Sequence, residues 1–334
     1  MGKGAKNKSK KSKAATKAKA LERAAVEAAD LSGKAAKKAK KKKAKAKEAR
    51  AAAEVEVASW SDLLRVEPGF ALADIDPAST PGFDGGKKDA EQVMEDLQKR
   101  LADLQERLFA ESKGGGRRSI LLVVQGMDTS GKGGIMRHVV GAVDPQGVDI
   151  TSFKAPSAEE KKHPFLWRIR KALPRPGQIG VFDRSHYEDV LIVRVHELVP
   201  RSTWSRRYAQ INRFEQGVVE DGTVIVKVML HLSSDEQKAR LTERLHRGDK
   251  YWKYNPGDVD ERGYWADYME AYQAALEKCS TAVAPWHVVP CDHKWYARLA
   301  VTNLLLEQLE AMDPRWPAAD FDVEAERERL AMTP

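Results

Sequence analysis

The stretch that decides the fold is QGMDTSGKGG, residues 125–134. Residues 126–132 match G-x-x-x-x-G-K, the pattern of a loop whose backbone N–H groups hold a phosphate. An apolar run, SILLVV at 119–124, leads into the loop, and a helix is predicted from about 132 to 143. Because such a loop requires a strand before it and a helix after it, the stretch predicts a phosphate site at the edge of a sheet.

This loop lacks the Ser or Thr that usually follows its lysine and binds magnesium, since Gly133 occupies that position. Asp128, inside the loop, offers the oxygen ligand that Mg²⁺ prefers. Asp183 ends the predicted strand IGVFD, and parallel strands place their carboxyl ends at one edge of the sheet. Asp128 and Asp183 are therefore the predicted ligands of Mg²⁺, with Mn²⁺ as an alternative. A role for Asp183 as the N-cap of the next helix stays open.

The loop also supplies the predicted phosphate contacts. Its glycines allow a tight path, and the ammonium group of Lys132 is expected to reach the transferred phosphoryl group. Arg184 follows Asp183 directly and is expected to neutralise developing charge, with a surface ion pair as the alternative. The predicted phosphate-binding residues of the loop are Gly126, Ser130, Gly131, Gly133 and Gly134.

Beyond the loop, short apolar strands alternate with helices. The predicted strands after the first lie at about 149–153, 179–183, 224–232 and 286–290. Further helices are predicted at about 88–113, at 159–171 and after the last strand through Leu309. The helix at 88–113 has one apolar face, formed by Val93, Leu97, Leu101, Leu104 and Leu108. Buried strands separated by helices predict an α/β fold, a parallel sheet flanked by helices on both faces.

Residues 244–258 read RLHRGDKYWKYNPGD, in which basic and aromatic side chains alternate. We interpret this segment as a lid that closes over bound phosphates and excludes water. The alternative is a solvated helix whose aromatic stems pack inward.

The net charge of the 334-residue chain, +8, is unevenly distributed. Residues 1–50 carry 17 Lys and 2 Arg against 3 Glu and 1 Asp, a net charge of +15, so the remaining residues carry −7. An anion bound by the body must therefore be held by a local basic groove. The tail, with KKAKKKKAKAK at its centre, is predicted to be disordered or transiently helical. It is either an arm for polyanions such as nucleic acid or polyphosphate, or a solubilising extension.

Composition excludes several classes of protein. The chain has no run of about 18 apolar residues, so no membrane-spanning helix is expected. The N-terminus lacks the apolar core of a secretory signal. Cys279 and Cys291, the two cysteines, have neither disulfide-framework nor metal-ligand spacing. These features predict a cytoplasmic protein with reduced thiols.

Four motifs in order, GMDTSGKGG, SFKAPSAEE with FLWR, FDRSHYEDVL and KYWKYNPGD, resemble the second family of polyphosphate kinases. The resemblance runs from about Leu63 to about Leu309. It implies a P-loop kinase fold with a helical lid at about 244–260, and Mg²⁺-dependent phosphoryl transfer between inorganic polyphosphate and a nucleotide. The implied organisation is a tail at 1–58, a kinase domain at 59–312 and a C-terminal extension at 313–334.

The resemblance also implies roles for individual residues. Asp128 and Asp183 would bind magnesium, and phosphates would be held by Lys132, Arg184, Arg244, Lys250 and Lys253. Arg168, in FLWR, is the implied contact to the nucleotide phosphate. Arg137 and Arg194 are expected to line a channel for polyphosphate.

Substrate choice is predicted from HYEDVL, residues 186–191, which resembles the class III members that accept both AMP and ADP. Glu188 is the predicted selecting residue, although a first-turn carboxylate also stabilises a helix N-terminus. The implied reaction converts AMP and ADP to ADP and ATP reversibly, with guanine nucleotides as further candidates, in a homodimer or homotetramer. Two alternatives stay open: an ATP-dependent nucleoside or nucleotide kinase of the same fold, and a non-enzymatic polyanion-binding protein that acts through its tail.

Overall fold

A five-stranded parallel sheet forms the centre of residues 59–334, the part of the chain that the computed structural model describes. The strands are β1 (Ser119–Gly126), β2 (Val148–Ser152), β3 (Ile179–Asp183), β4 (Thr223–His231) and β5 (Trp286–Pro290). Their order in the sheet is β2-β3-β1-β4-β5, and every pairing is parallel. The predicted tail at 1–58 lies outside the described residues.

Helices precede, connect and follow the strands. The α-helices are α1 (Trp60–Leu64), α2 (Lys87–Lys113), α3 (Lys132–His138), α4 (Trp167–Lys171), α5 (Ile192–Val195), α6 (Arg201–Glu220), α7 (Ser234–His246), α8 (Gly257–Glu261), α9 (Trp265–Cys279), α10 (Lys294–Met312) and α11 (Val323–Ala331). Short 3₁₀ helices lie at Leu72–Asp74, Val140–Ala142, Pro145–Gly147, Glu160–Lys162, His186–Asp189, Gly248–Lys253 and Arg262–Tyr264.

Both faces of the sheet are covered, as the buried strands predicted. Alternate residues of β1 point to opposite faces, and its apolar side chains are completely buried. Ile120, Leu122 and Val124 belong to a core with residues of α2, α3 and α10. Leu121 and Val123 belong to a second core with residues of α6 and α9. The sequence-based prediction of the α/β fold is confirmed.

Several predicted elements differ in detail. Strand β2 is an edge strand that pairs with β3, and Ile150 on it is exposed rather than buried. The helix predicted at 159–171 is interrupted, because Pro164 holds His163 in an extended conformation. The helix after the loop ends at His138, where two β-branched valines and a glycine of low helix propensity follow.

The predicted face of the helix at 88–113 is correct except at its first position. Leu97, Leu101 and Leu108 are buried in the first core, and Leu104 packs against it. Val93 is exposed instead, because the buried face of α2 runs through Ala90, Met94 and Leu97 at this end of the helix. Within residues 59–334, no helix combines the length and the apolarity needed to cross a membrane.

The strand order sets the position of a ligand site. The chain leaves β1 toward β2 at one edge of the sheet, and later returns across β1 to β4 and β5. In open parallel sheets, ligands bind in the crevice where the connections diverge, outside the carboxyl ends of the strands. Here that crevice lies between β1 and β3, at the loop after β1 and at Asp183.

Candidate active site

The loop after β1 follows a path that glycine alone accommodates at two positions. Gly126 has a φ of 156°, and a Cβ there would lie 2.7 Å from Oγ of Ser130 and 2.9 Å from the carbonyl oxygen of Leu230. Gly131, with a φ of 112°, begins α3. Both conformations are unfavourable for L side chains, so the tight turn requires these glycines.

Two hydroxyl groups inside the loop are buried. Oγ of Ser130 and Oγ1 of Thr129 have no hydrogen-bond partner among the described residues. Buried polar groups are normally satisfied, and an orphaned pair in a phosphate-type loop is consistent with an anion site. Thr129 also has a positive φ, 65°, a strained conformation of the kind that concentrates at functional sites.

Lys132 bends back over the loop. Its Nζ donates to the carbonyl oxygens of Gly126 at 2.8 Å and of Met127 at 3.2 Å. Removal of water from the ammonium group lowers the pKa of Lys132, and the Asp128 carboxylate partly offsets this effect. The positively charged ammonium group of Lys132 therefore lies against the backbone of the loop.

Arg184 and Asp128 link the end of β3 to the loop. Nη2 of Arg184 donates to Oδ1 of Asp128 at 2.8 Å. Arg184 has a φ of 62°, a left-handed turn immediately after the strand. Burial opposes its charge, but the carboxylates of Glu188 and Asp128 hold the pKa of Arg184 well above its usual value. Arg184 therefore does form an ion pair, and its partner is the loop carboxylate; its role in neutralising developing charge stays a prediction.

Asp183 lies beside the loop as predicted, because its Cα pairs with that of Val124 across β3 and β1. Ser152 donates a long hydrogen bond, 3.4 Å, to its Oδ2. The cap of the following 3₁₀ helix is Ser185, whose side chain accepts from the backbone N–H of Tyr187. Asp183 therefore does not act as the N-cap, and its carboxylate faces the cleft.

A basic cleft of about 400 Å³ opens beside the loop. We use this name for the cavity lined by residues 128–135 of the loop and helix, by Asp183, and by side chains of α7, the lid and α10. Its eight cationic residues outnumber its three carboxylates. These cations are Lys132, Arg137, Arg240, Arg244, Lys250, Lys253, Lys294 and Arg298.

Two arginines that line the basic cleft, Arg137 and Arg298, are close enough to repel each other, and Glu91 offsets this repulsion only in part. Arg137 and Arg298 have no carboxylate partner within 4.0 Å in residues 59–334. Desolvation and the neighbouring Arg137 lower the pKa of Arg298, and the same two arginines, with burial, lower the pKa of His138. Like charges held together in this way indicate a site that is completed by an anion.

Asp128 also lines a second space, of about 230 Å³. We call it the acidic cavity, since its lining includes four carboxylates and one cation, Arg184. The carboxylates belong to Asp128, Glu188, Asp258 and Glu261, and Asn255, Tyr268 and Tyr272 complete the polar wall. Nε2 of Gln125, on β1, donates to Oε1 of Glu188 at 3.0 Å. Burial raises the pKa of Glu188, although Arg184 opposes the shift.

The predicted lid, residues 244–260, contributes side chains to both spaces. Nη1 of Arg244, at the end of α7, donates to the carbonyl oxygen of Lys253 at 2.8 Å and to Oδ2 of Asp258 at 3.2 Å. Trp252 is 78% exposed and Tyr251 is 59% exposed. Tyr251 and Trp252 therefore do not pack inward, whereas Tyr254 is partly buried, and closure of this segment over phosphates stays a prediction.

Two predicted residues lie away from the basic cleft. Nη1 of Arg168 donates to the carbonyl oxygen of Lys154 at 2.8 Å, and its guanidinium covers the ring of Phe153. Arg194 pairs with Glu270 and lines a separate pocket over α6 and α9. The described contacts give these two arginines structural partners, whereas the other predicted phosphate contacts converge at the loop.

Sequence reasoning missed three cations of the basic cleft: Arg240, Lys294 and Arg298. Arg240 and Arg244 are four residues apart on α7, and Lys294 and Arg298 are four apart on α10. Both helices follow strands at the carboxyl edge of the sheet, so basic residues spaced four apart on such helices were the available signal. Arg240 is buried and donates to the carbonyl oxygens of Thr129 and Cys291.

The carboxylates fit a magnesium ion. Asp128 and Asp183 both line the basic cleft, and carboxylate oxygens are the ligands that Mg²⁺ prefers. Within the described residues, no group of three or more His, Cys, Asp or Glu side chains is arranged around a common point. Mg²⁺ usually binds through one or two carboxylates and completes its shell with water and phosphate oxygens, so a two-carboxylate set suits it.

A phosphate loop, a strand-end carboxylate and a lid on a parallel sheet define a P-loop phosphotransferase. A model of the polyphosphate kinase 2 (PPK2) family matches residues 85–317, and the chain belongs to that family. It is 44% identical over 255 residues to the AMP/ADP-polyphosphate phosphotransferase of Meiothermus ruber, covering 76% of this chain and 94% of the relative.

Two further relatives agree with this assignment. The ADP-polyphosphate phosphotransferase of Rhodopseudomonas palustris is 42% identical, over 72% of this chain and 86% of its own. The crystal structure of polyphosphate kinase 2 from Arthrobacter aurescens TC1 is similar to this one, with a TM-score of 0.81 and 56% identity. That similarity covers 83% of this chain and 98% of the other.

Proposed function

We propose that this chain transfers phosphoryl groups reversibly between inorganic polyphosphate and AMP or ADP, with Mg²⁺ as the cofactor. The observation that carries the proposal is the basic cleft, where eight cations border the phosphate loop. The body outside residues 1–50 has a net charge of −7, so this concentration of positive charge is local. A row of cations suits a long polyanion, which can contact several of them in series. The names of the relatives support the same substrates.

The residues of the loop would act mainly by positioning and by neutralising charge. An oxygen of the nucleotide's terminal phosphate attacks a phosphorus atom of polyphosphate, and the bridging P–O bond of the polyphosphate breaks. Lys132 and Arg184 flank Asp128 and are placed to balance charge on the transferred group. Because phosphate oxygens are already ionised near neutral pH, no side chain is required as a general base.

Asp128 and Asp183 would hold the metal between the loop and β3. Mg²⁺ at this position supplies Lewis-acid stabilisation of the phosphate oxygens. In the described contacts Asp128 is paired with Arg184 at 2.8 Å, and Asp183 is weakly bonded. Asp183 is thus the carboxylate with more oxygen lone pairs available to a cation.

Glu188 would contact the nucleotide from the acidic cavity. Glu188 lines the acidic cavity and not the basic cleft, and Nε2 of Gln125 donates to its carboxylate. Uncharged parts of a nucleotide tolerate acidic neighbours better than a polyphosphate does. We therefore infer that the nucleotide enters through the acidic cavity and the polyphosphate through the basic cleft.

The test is the formation of ADP and ATP from AMP, with Mg²⁺ and long-chain polyphosphate and without added ATP. Appearance of both products supports transfer from polyphosphate and the use of both AMP and ADP. Product from ADP alone would retain the reaction but contradict the inferred role of Glu188. No product from either nucleotide would contradict the proposed function.

We also propose that the protein works in the cytoplasm as a homodimer or homotetramer, and accepts guanine nucleotides besides adenine nucleotides. Both cysteines are buried and free, as the reduced state requires.

For the tail we propose an arm that holds polyanions. Deletion of residues 1–50 is then expected to leave turnover intact and to weaken salt-sensitive binding of long polyphosphate. Loss of most turnover on deletion would contradict this role.

A further inference from the structure

A cluster of buried polar side chains lies beneath the 3₁₀ helix that carries Glu188. Lys227, in the middle of β4, is completely buried, and Glu215 of α6 is 1% exposed. His186 and Tyr187, on the 3₁₀ helix itself, are also completely buried. None of these four residues lines the basic cleft or the acidic cavity.

Lys227 uses all three of its N–H donors. Its Nζ lies 2.5 Å from Oε2 of Glu215, 2.9 Å from Oη of Tyr187 and 2.7 Å from the carbonyl oxygen of Cys279. The lysine therefore joins β4 to α6, to the end of α9 and to the 3₁₀ helix. Every donor of the ammonium group is satisfied, as a buried charge requires.

Glu215 completes the cluster from the other side. Its Oε1 accepts from Oη of Tyr187 at 2.8 Å and contacts Nε2 of His186 at 3.1 Å. Desolvation opposes ionisation of Glu215, but Lys227 and His186 lower its pKa overall. The same carboxylate therefore holds two consecutive residues of the 3₁₀ helix.

The far end of this helix is held by α6 as well. Nη1 of Arg207 donates to Oδ1 of Asp189 at 2.7 Å and to its carbonyl oxygen at 3.1 Å. Residues 186, 187 and 189 thus point toward α6 and β4. Glu188 points the opposite way, to Gln125 and the acidic cavity.

Stability alone does not explain a cluster of this kind. Taking an ion pair out of water is costly, and well-packed apolar residues of similar volume often stabilise a core equally well. The ion pair instead fixes an orientation, because its hydrogen bonds permit only one orientation of the 3₁₀ helix at residues 186–189. The side chain whose orientation is set in this way is Glu188.

We propose that Lys227, Glu215 and the hydroxyl of Tyr187 are positioning residues that aim Glu188 at the nucleotide. The proposal rests on the role of Glu188 given under the proposed function. It predicts that a change in the cluster affects the nucleotide and not the polyphosphate, because the basic cleft does not contact the cluster.

The experiment is a double-mutant cycle between Tyr187→Phe and Glu188→Gln. Phenylalanine keeps the ring and removes one hydroxyl, so the variant is expected to fold. Its KM for AMP is expected to rise roughly threefold to tenfold, the value of one hydrogen bond, while the KM for polyphosphate stays unchanged. In the Glu188→Gln background, Tyr187→Phe is expected to have no further effect.

Tyr296→Phe is the matched control. Tyr296 is completely buried too, and its hydroxyl donates to the carbonyl oxygen of Pro81, outside both cavities. This variant is expected to leave both KM values unchanged. A second test replaces the ion pair as a unit, Lys227→Met with Glu215→Leu, so that no lone charge stays buried. That variant is expected to fold and to show the same selective rise in the KM for AMP.

Three results would overturn the proposal: no change in the KM for AMP, an equal rise for AMP and polyphosphate, or the same fold-change with and without Glu188→Gln. Failure of the proposed function is separate, because it appears as an unmodified protein that forms no product from polyphosphate. In that case the double-mutant cycle uses the Kd for AMP of each variant, measured by calorimetry. Additive changes there, or no binding of AMP, would also overturn the positioning role.

Discussion

The basic cleft and the acidic cavity share Asp128 but differ in size and in the charge of their linings. The cleft is about 400 Å³ with eight cations, and the cavity is about 230 Å³ with four carboxylates and one arginine. Asp128 lines both. A site that joined two similar phosphate ligands would not need this asymmetry.

On the proposed division of substrates, one loop serves two ligands that both carry phosphate. Polyphosphate is negatively charged along its whole length. Its binding is therefore favoured beside Arg137 and Arg298, because an anion relieves the repulsion between these two cations. A nucleotide has charge at one end, which Arg184 can meet, while its neutral remainder tolerates the carboxylates. Transfer is then expected at the boundary, beside Asp128 and Lys132.

Removing the boundary carboxylate should have the largest effect. We expect Asp128→Asn to fold normally and to lose transfer by about 100-fold or more, because an amide is a poor magnesium ligand and no longer pairs with Arg184. Polyphosphate-dependent ATP formation measures the loss, and thermal unfolding checks the fold.

Asp103→Asn makes the same chemical change on an exposed helix, where Asp103 pairs with Arg107. It is expected to keep full activity. Near-normal transfer by Asp128→Asn would contradict the assignment of Asp128 as a ligand of Mg²⁺.

A change confined to the cleft should sharpen the distinction. Arg298→Ala is expected to raise the KM for polyphosphate roughly tenfold, the value of a charged hydrogen bond, and to leave the KM for AMP unchanged. The salt dependence of polyphosphate binding should also weaken, because one cation is lost.

Arg327→Ala is the control, since this arginine is exposed on α11 and pairs with Glu324. Equal rises in the KM for polyphosphate and for AMP in Arg298→Ala would contradict the proposal that the two substrates bind in separate cavities.

The corresponding change in the acidic cavity is Glu188→Gln. Glu188→Gln keeps the acceptor for Gln125 and removes the charge. We expect a severalfold change in the ratio of AMP to ADP used, with the KM for polyphosphate unchanged. Competition between the two nucleotides in one reaction measures this ratio. An unchanged ratio would remove Glu188 from substrate selection.

The smallest expected effect is on stability and depends on pH. Since burial raises the pKa of Glu188, its contribution to stability is fully present below the unfolded-state pKa and is lost as pH rises through the folded-state pKa. Glutamine stays neutral throughout. Glu188→Gln should therefore raise Tm by a few degrees, at most, near pH 7.5 and leave it nearly unchanged near pH 4. A lower Tm near pH 7.5 would contradict this sign.

Much of the loop side of the site was predictable because it is local in sequence. Gly126, Asp128 and Lys132 lie within one turn between a strand and a helix, and Asp183 ends a strand that any parallel sheet would place nearby. Arg298 was not predictable in this way, since it lies 166 positions along the chain from Lys132. Its role depends on where α10 returns against α3, which long-range packing decides.

Two predicted residues have other surroundings. Arg194 is three residues beyond the FDRSHYEDVL motif, and α5 turns its guanidinium toward Trp204 and Glu270. Arg168 is the second residue of α4 and stacks on Phe153, and its contact to the nucleotide stays a prediction. Proximity in sequence therefore predicted which segments surround the site, but not which face of a short helix each side chain occupies.

By itself the sequence determined the parallel α/β fold, the phosphate loop, the carboxylate inside that loop and the carboxylate that ends β3, because hydrophobic period and glycine position act locally. The tertiary structure alone decided that cations from four separate segments form one cleft, and that Glu188 faces away from it. It also decided that Lys227 and Glu215 meet under the turn that carries Glu188. These features depend on how β4, α6 and α10 pack, and contacts between distant residues are set by the whole core rather than by any one stretch.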